Sequence, residues 1–187
     1  MAANSIEPLN GLRPAGAPPD GLDPVAFRGV LGRFVTGVAA VTGIDDGVPV
    51  GLVVSSFTSV SLAPPLVSFC VAHTSVSWPR VRRGARHCVS FLAEHQREHA
   101  RRLAAAGGAK FGDLPWSPSP AGLPLLDGTL GWLECTIEAE HVAGDHVIVV
   151  ARVHSLGAHD TTGPLVYYRG RYGRFAAADA PHGDIPL

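Results

Sequence analysis

The residues of this chain that could do chemistry are mostly hydroxyls, with a few cations and nine histidines. One hydroxyl cluster, Ser55, Ser56, Thr58, Ser59 and Ser61, lies in a stretch from Gly47 to Pro79 that holds no Asp, Glu, Lys or Arg. Neutral donors beside apolar backbone suit a flat, largely apolar ligand with a polar tail. The same pattern also describes a strand with its apolar side inward and no ligand at all. Candidate phosphate partners are Thr74, Ser75, Ser77, the Arg102 guanidinium and Lys110. Each has a structural alternative: Arg101 and Arg102 as a solvated helix face, and Ser75 or Ser77 as the cap of a helix opening at Trp78.

Geometry argues against a metal. His146 and His154 fall on one expected strand, and at about 3.3 Å per residue they stand roughly 26 Å apart. His141 and His146 flank a tight turn with no third ligand nearby. His95 and His99 are spaced i, i+4 but do not form His-Glu-x-x-His. A nucleophilic hydrolase lacks its Gly-x-Ser-x-Gly elbow. A dinucleotide, if bound, is not held by a Rossmann unit, because no Gly-x-Gly-x-x-Gly follows a strand and β and α segments do not alternate.

The elements that must position these residues belong to one domain, since 187 residues bury one substantial core. A net charge of -1 gives no field that points to nucleic acid or an anionic membrane. Few charges and a mean hydropathy of +0.19 suggest apolar surface buried in an oligomer. Cys70, Cys88 and Cys135 lie in separate apolar runs, which predicts buried free thiols in a reducing cytoplasm, and no secretory signal is expected.

Pro49, Pro64 and Pro65 exclude a membrane helix through the charge-free stretch, which reads as two buried strands joined at Ala63-Pro64-Pro65. Residues 1–22 read as a flexible arm. Asp23-Pro24 predicts a helix to about Arg33, with Val25, Leu31 and Phe34 as its apolar stripe. A strand over 35–44 and a turn at Asp45-Asp46-Gly47 follow. Short helices at 78–83 and 94–106 flank a strand at 87–92, and Gly107-Gly108 ends the second helix. Residues 111–128, with four prolines, read as a long irregular loop. From 130 to 141 odd positions are apolar and even positions polar, the pattern of a half-buried antiparallel strand. A return strand at 146–155 and short strands at 165–169 and 171–175 complete a mainly β, antiparallel barrel with peripheral helices.

Together these pieces resemble the flavin reductase family, whose fold is a flavin-binding split β-barrel with Greek-key connections. The resemblance rests on Phe27-Arg-x-x-Leu-Gly-Arg-Phe-x-Thr-Gly-Val38, Pro49-Val-Gly51 and Ser55-Ser-Phe-x-Ser-Val-Ser-Leu-x-Pro-Pro-Leu66. It continues through Lys110-Phe111, Gly122-x-Pro-Leu-Leu126, Gly144-Asp-His146 and Pro164-Leu-x-Tyr-Tyr-Arg-Gly-Arg-Tyr172, spanning about 23–175 with a tail at 176–187. It implies an NAD(P)H:flavin oxidoreductase that passes hydride from NADH or NADPH to FMN or FAD. It further implies a cytoplasmic homodimer that supplies a separate flavin-dependent monooxygenase. A flavin- or haem-binding split barrel without turnover, and an enzyme using bound flavin directly on a small molecule, are the alternatives.

By the same resemblance the flavin ring lies against Gly51, Leu52, Val53 and Val54, with Ser55 and Ser56 at its edge or ribityl chain. Ala72, Ser77, Arg102 and Lys110 lie near the tail and phosphate. His146 and the turn Tyr168-Arg169-Gly170-Arg171 lie where the nicotinamide approaches, with His146 as the candidate catalytic or positioning group. Three departures stand out: Val53 replaces a residue that in many relatives can bond the flavin, Val54 adds bulk beside it, and Leu103 replaces an aromatic after the helix arginine. By the resemblance, such changes would weaken flavin retention, alter the preference between FMN and FAD, or mark a member without reductase activity.

Overall fold

A computed structural model describes residues 21–107, 109–159 and 162–176. Most of the expected arm and tail, and Gly108, lie outside these residues. The described chain is mainly β. It opens with α1 (Pro24–Leu31), then β1 (Thr36–Gly37), β2 (Ala39–Asp45), β3 (Val48–Val54), β4 (Thr58–Leu62) and β5 (Pro65–Ala72). Then come α2 (Trp78–Val81), β6 (His87–Phe91), α3 (Arg97–Ala104) and the short strands β7 (Trp116–Pro118) and β8 (Pro124–Leu126). Two long strands, β9 (Gly131–Ala143) and β10 (His146–Ala158), precede β11 (Leu165–Tyr168) and β12 (Arg171–Arg174). Seven strands form one antiparallel sheet in the order β3-β2-β6-β9-β10-β5-β4, while β1-β11-β12 and β7-β8 form two small sheets. Contacts between β3 and β5 bring the two ends of the large sheet together.

Alternation builds the core. Val41, Leu52, Phe69, Val89, Leu133 and Val149 point to the inside of the curled sheet, each nearly or fully buried. Each such side chain contributes about 1.5–3 kcal/mol on burial. The outer face of β2 and β3 carries a second cluster, where Ala100 and Leu103 of α3 meet Phe111, Leu114 and Leu126. This second layer holds the polar loops that follow α3 against β3.

Several elements differ from expectation. α1 ends at Leu31, capped by the Asp23 carboxylate at Val25 and Ala26, and none of its residues is buried. Its apolar stripe therefore faces outward. The single strand expected over 35–44 is split at Val38 because β1 pairs with β11 while β2 pairs with β3 and β6. The charge-free stretch holds three strands rather than two, and the middle one, β4, is an exposed edge. The proline-rich loop contains the β7–β8 hairpin.

His87 shows what the interior tolerates. It is 1% exposed, lies 6.4 Å from the Trp78 ring between centroids, and neither ring nitrogen has a hydrogen-bond partner among the described residues. Burial pushes its pKa down to about 4. Below the ordinary histidine range the unfolded chain takes up a proton that the folded chain refuses until about pH 4. Stability is thus complete above about pH 6.5 and falls as pH drops through that window. The expected loss is about 2 kcal/mol between pH 7 and pH 4.5, absent from His87→Leu. Urea midpoints of both proteins at the two pH values measure it; equal pH slopes would count against the assignment.

Candidate functional site

The polar loops gather where β3 leaves the sheet. A cavity of about 460 Å³ opens there, lined by residues 52–56, 70–72, 74–77 and 103–106 with Lys110 and His146. Its apolar wall is the edge strand β3. That strand leaves a two-residue turn in which Asp46 and Gly47 both adopt positive φ, pairing Asp45 with Val48. Hydrogen-bonded and non-bonded pairs alternate from such a turn, which assigns Val50, Leu52 and Val54 to bonding with β2. The backbone of Gly51 and Val53 is then directed off the free edge.

The opposite wall is the 74–77 loop, which leads into α2. Asp45 anchors this part, accepting from Arg80 Nε and from Arg83 Nε and Nη2, each at 2.8 Å. The Arg83 and Arg80 hydrogen bonds hold its carboxyl at a pKa of about 2. Within the loop Ser75 Oγ accepts from the Trp78 amide at 3.2 Å, so Ser75 rather than Ser77 caps α2. Ser77 Oγ instead accepts from Lys110 Nζ at 2.6 Å, and Lys110 also donates to the Leu103 carbonyl at 2.7 Å. Two of its three protons are thus engaged. Desolvation lowers the Lys110 pKa, and among the described residues it forms no ion pair.

At the rim, His146 Nδ1 lies 2.6 Å from Asp145 Oδ1. An ionised carboxylate only accepts, so Nδ1 carries the proton and Nε2 is left for another partner. The His146 contact is the main reason the Asp145 carboxyl titrates below its ordinary range. Ser56 ties the exit of β3 to β5 by accepting from the Cys70 amide at 2.8 Å, while Ser55 is exposed.

The structure thus gathers Leu52, Val53, Val54, Ser55, Ser56, Ala72, Ser77, Lys110 and His146 around one cavity. Gly51 lines an adjoining one. Arg102 lines neither, and its Nη1 lies 3.5 Å from the exposed carboxylate of Asp113. Tyr168, Arg169 and Arg171 line a third cavity that shares no residue with the first, and Gly170 makes its turn at φ +75°. Sequence reasoning passed over Cys70, Val71 and the run Ala104-Ala105-Ala106. That run of small side chains just before Lys110 was the available signal for a close backbone approach. Among the described residues no group of His, Cys, Asp and Glu could hold a metal ion. His154 is 2.9 Å from Thr136 Oγ1. No described helix is long and apolar enough to cross a membrane.

Residues 31–176 match the model of the flavin reductase like domain. The chain is 44% identical over 153 residues to the reductase subunit HsaB of a flavin-dependent monooxygenase from Rhodococcus jostii, covering 82% of this chain and 78% of that one. It is 43% identical over 157 residues to a flavin reductase of Pseudomonas putida, covering 83% and 92%. Among solved structures, the NADH:FAD oxidoreductase SgcE6 of Streptomyces globisporus, in complex with NAD and FAD fragments, superposes with a TM-score of 0.78. It is 36% identical, with 84% of this chain and 96% of that one covered. With its antiparallel split barrel and its matched span, the chain belongs to the flavin reductase family and is an NAD(P)H:flavin oxidoreductase.

Proposed function

We propose that this reductase draws hydride from NADH or NADPH, delivers it to FMN or FAD in the cavity beside β3, and supplies reduced flavin to a separate monooxygenase. One observation carries the reading: the apolar free edge of β3, the hydroxyl loop and a lysine with a spare N–H converge on one cavity, with His146 at its rim. That donor set fits a flavin. The β3 edge offers backbone groups and apolar surface to a flat ring, and Thr74, Ser77 and Lys110 offer donors to a ribityl phosphate. When bound, the flavin supplies the hydride acceptor and the nicotinamide the donor. The chain's own residues bind, orient and keep out water. Asp145 fixes the His146 tautomer, so that Nε2 can position the incoming nicotinamide.

The test is the oxidation of NADH and NADPH followed with and without added FMN or FAD. The expected result is a rate that depends on flavin. No flavin-dependent rate with either nucleotide would sink the proposal, and tight flavin binding without reduction would point to a carrier.

The outward apolar face of α1 and of the turn after it supports a homodimer in the same proposal. Val25, Val30 and Phe34 are 74%, 66% and 76% exposed, an apolar face that a second copy would cover. Light scattering should give twice the chain mass; a wild-type monomer would refute the dimer. The free thiols Cys88 and Cys135, pushed up to about 12 by burial, support residence in the cytoplasm. Cell fractionation checks this, and recovery from an exported fraction would contradict it.

A further inference from the structure

His87 opens β6 deep in the barrel, and neither ring nitrogen has a hydrogen-bond partner among the described residues. Kept neutral by burial, the ring still carries one N–H, and a buried donor without an acceptor is costly. Polar atoms of three segments meet beside it. A Cβ built on Gly43 of β2 would have as its nearest neighbours His87 Nδ1 at 3.6 Å, the Val81 carbonyl at 3.6 Å and the Arg86 carbonyl at 3.8 Å. The same two carbonyls face Gly84, where a Cβ would lie 3.4 Å from Val81, 3.3 Å from Arg86 and 3.5 Å from the Ile44 carbonyl. We propose that this nook between two glycines binds one structural water molecule, which accepts from His87 Nδ1 and donates to the carbonyls of Val81 and Arg86.

Three features fit a water. The first is the donor set: a buried water makes about three hydrogen bonds, and here two acceptors and one donor face one point. Carbonyls only accept, so the water gives both its protons to them and takes the proton of Nδ1, which fixes the tautomer of His87. A cation would suit the carbonyls but could not accept that proton. The second is Gly43 itself. It stands inside β2 between Thr42 and Ile44 and is not among the glycines at positive φ, so its backbone does not call for glycine. Glycine weakens a strand, and its use here leaves room beside Nδ1. The third is the ladder. Pairing of β2 with β6 runs from Ala39–Phe91 to Thr42–Cys88 and stops, so Gly43 and His87 stand next in line without pairing. The water also completes the fastening of α2. Arg80 and Arg83 tie this part of the chain to Asp45, and Arg82 ties it to Glu140. The water joins Val81, the last residue of α2, to β6 from the inside. It thereby steadies the helix whose first turn presents Ser77 to Lys110.

Structure and stability test the site together. A high-resolution crystal structure of the wild type is expected to show a water within hydrogen-bond distance of His87 Nδ1 and both carbonyls. Nitrogen-15 spectra at pH 7 are expected to place the ring proton on Nδ1. Gly43→Ala then puts a methyl group into the nook at ordinary contact distances, so it displaces the water without a clash. Its urea midpoint is expected to fall by about 0.5 M or more, because the Nδ1 proton loses its acceptor. In a His87→Leu background, which has no ring proton, the same change should lower the midpoint less than half as far. Without a bound water, Gly43→Ala only replaces a strand glycine, and the midpoint holds or rises. That result, or a wild-type structure with no water at Nδ1, overturns the proposal. A wild-type midpoint that rises when potassium replaces tetramethylammonium at equal ionic strength would put a cation in the nook and overturn it too. Should Gly43→Ala fail to fold, the wild-type density and the tautomer of His87 decide: a proton on Nε2 would refute the arrangement.

Discussion

Replacing Glu134 by alanine is expected to destabilise the chain by about 4 kcal/mol, because three donors aimed at one buried carboxylate lose their acceptor together. Glu134 is 2% exposed on the outer face of β9. Its Oε1 accepts from the Ser119 hydroxyl and from the Ala121 amide at 2.7 Å, and its Oε2 accepts from Ser155 at 2.6 Å. Burial pushes the carboxyl up, but the Ser119 and Ser155 hydroxyls and the Ala121 amide outweigh it, leaving the pKa below the ordinary value. The carboxylate thereby fastens the 119–123 loop to the sheet. Thr42 holds the next residue, donating to the Pro124 carbonyl at 2.6 Å. Glu134→Gln keeps one acceptor and should cost about half as much. Urea unfolding of the three proteins decides the matter. A loss below about 1 kcal/mol for the alanine variant would mean that water replaces the carboxylate.

Glu134 also shows how far the sequence could be read. The alternation over 130–141 identified β9 and its inward residues Leu133 and Cys135. It put every glutamate outward, and two of them are covered. Glu134 does face outward, but the proline-rich loop lies over it, a long-range contact that no local period encodes. Glu140 is covered for another reason. A register shift between Val150 and Ala151 sets one extra residue of β9 against β10, so Glu140 stands opposite the core residue Val149. There its Oε2 meets Arg82 Nη2 at 2.6 Å. Bulges leave no mark in a period-two pattern.

The site was legible where chemistry is concentrated in local sequence. The hydroxyl loop, Lys110 and the Gly144-Asp145-His146 turn stood out because each is a short polar signal beside apolar strands. What could not be read was which hydroxyl serves which partner. Ser75 turns inward to cap α2 and Ser77 turns to Lys110, a division set by the packing of α2 against Asp45. The concern over Val53 changes as well. Its side chain packs against the outer cluster, while the ladder alternation directs its backbone off the edge. A missing hydroxyl there does not remove the hydrogen-bonding groups that a flat ligand would meet.

The Lys110→Met variant is expected to bind FMN roughly 10- to 150-fold more weakly, the effect of losing a charge-assisted bond of about 1.5–3 kcal/mol. Riboflavin, which has no phosphate, should be affected far less, so the ratio of the two affinities reports the phosphate contact and not general damage to the cavity. Lys110→Arg restores the charge and should recover part of the ratio. Arg102 makes the contrast. Its guanidinium is directed to Asp113 and lines neither cavity, so Arg102→Ala is expected to change FMN affinity less than threefold. The acid–base behaviour supplies an independent check. Desolvation already lowers the Lys110 pKa, so with rising pH the ammonium is lost before an ordinary lysine would lose it. FMN affinity should fall across that range in the wild type and stay flat in Lys110→Met, while riboflavin binding stays flat in both. If the methionine variant keeps wild-type FMN affinity, the phosphate is held elsewhere and Lys110 serves only to tie Ser77 to the Leu103 carbonyl.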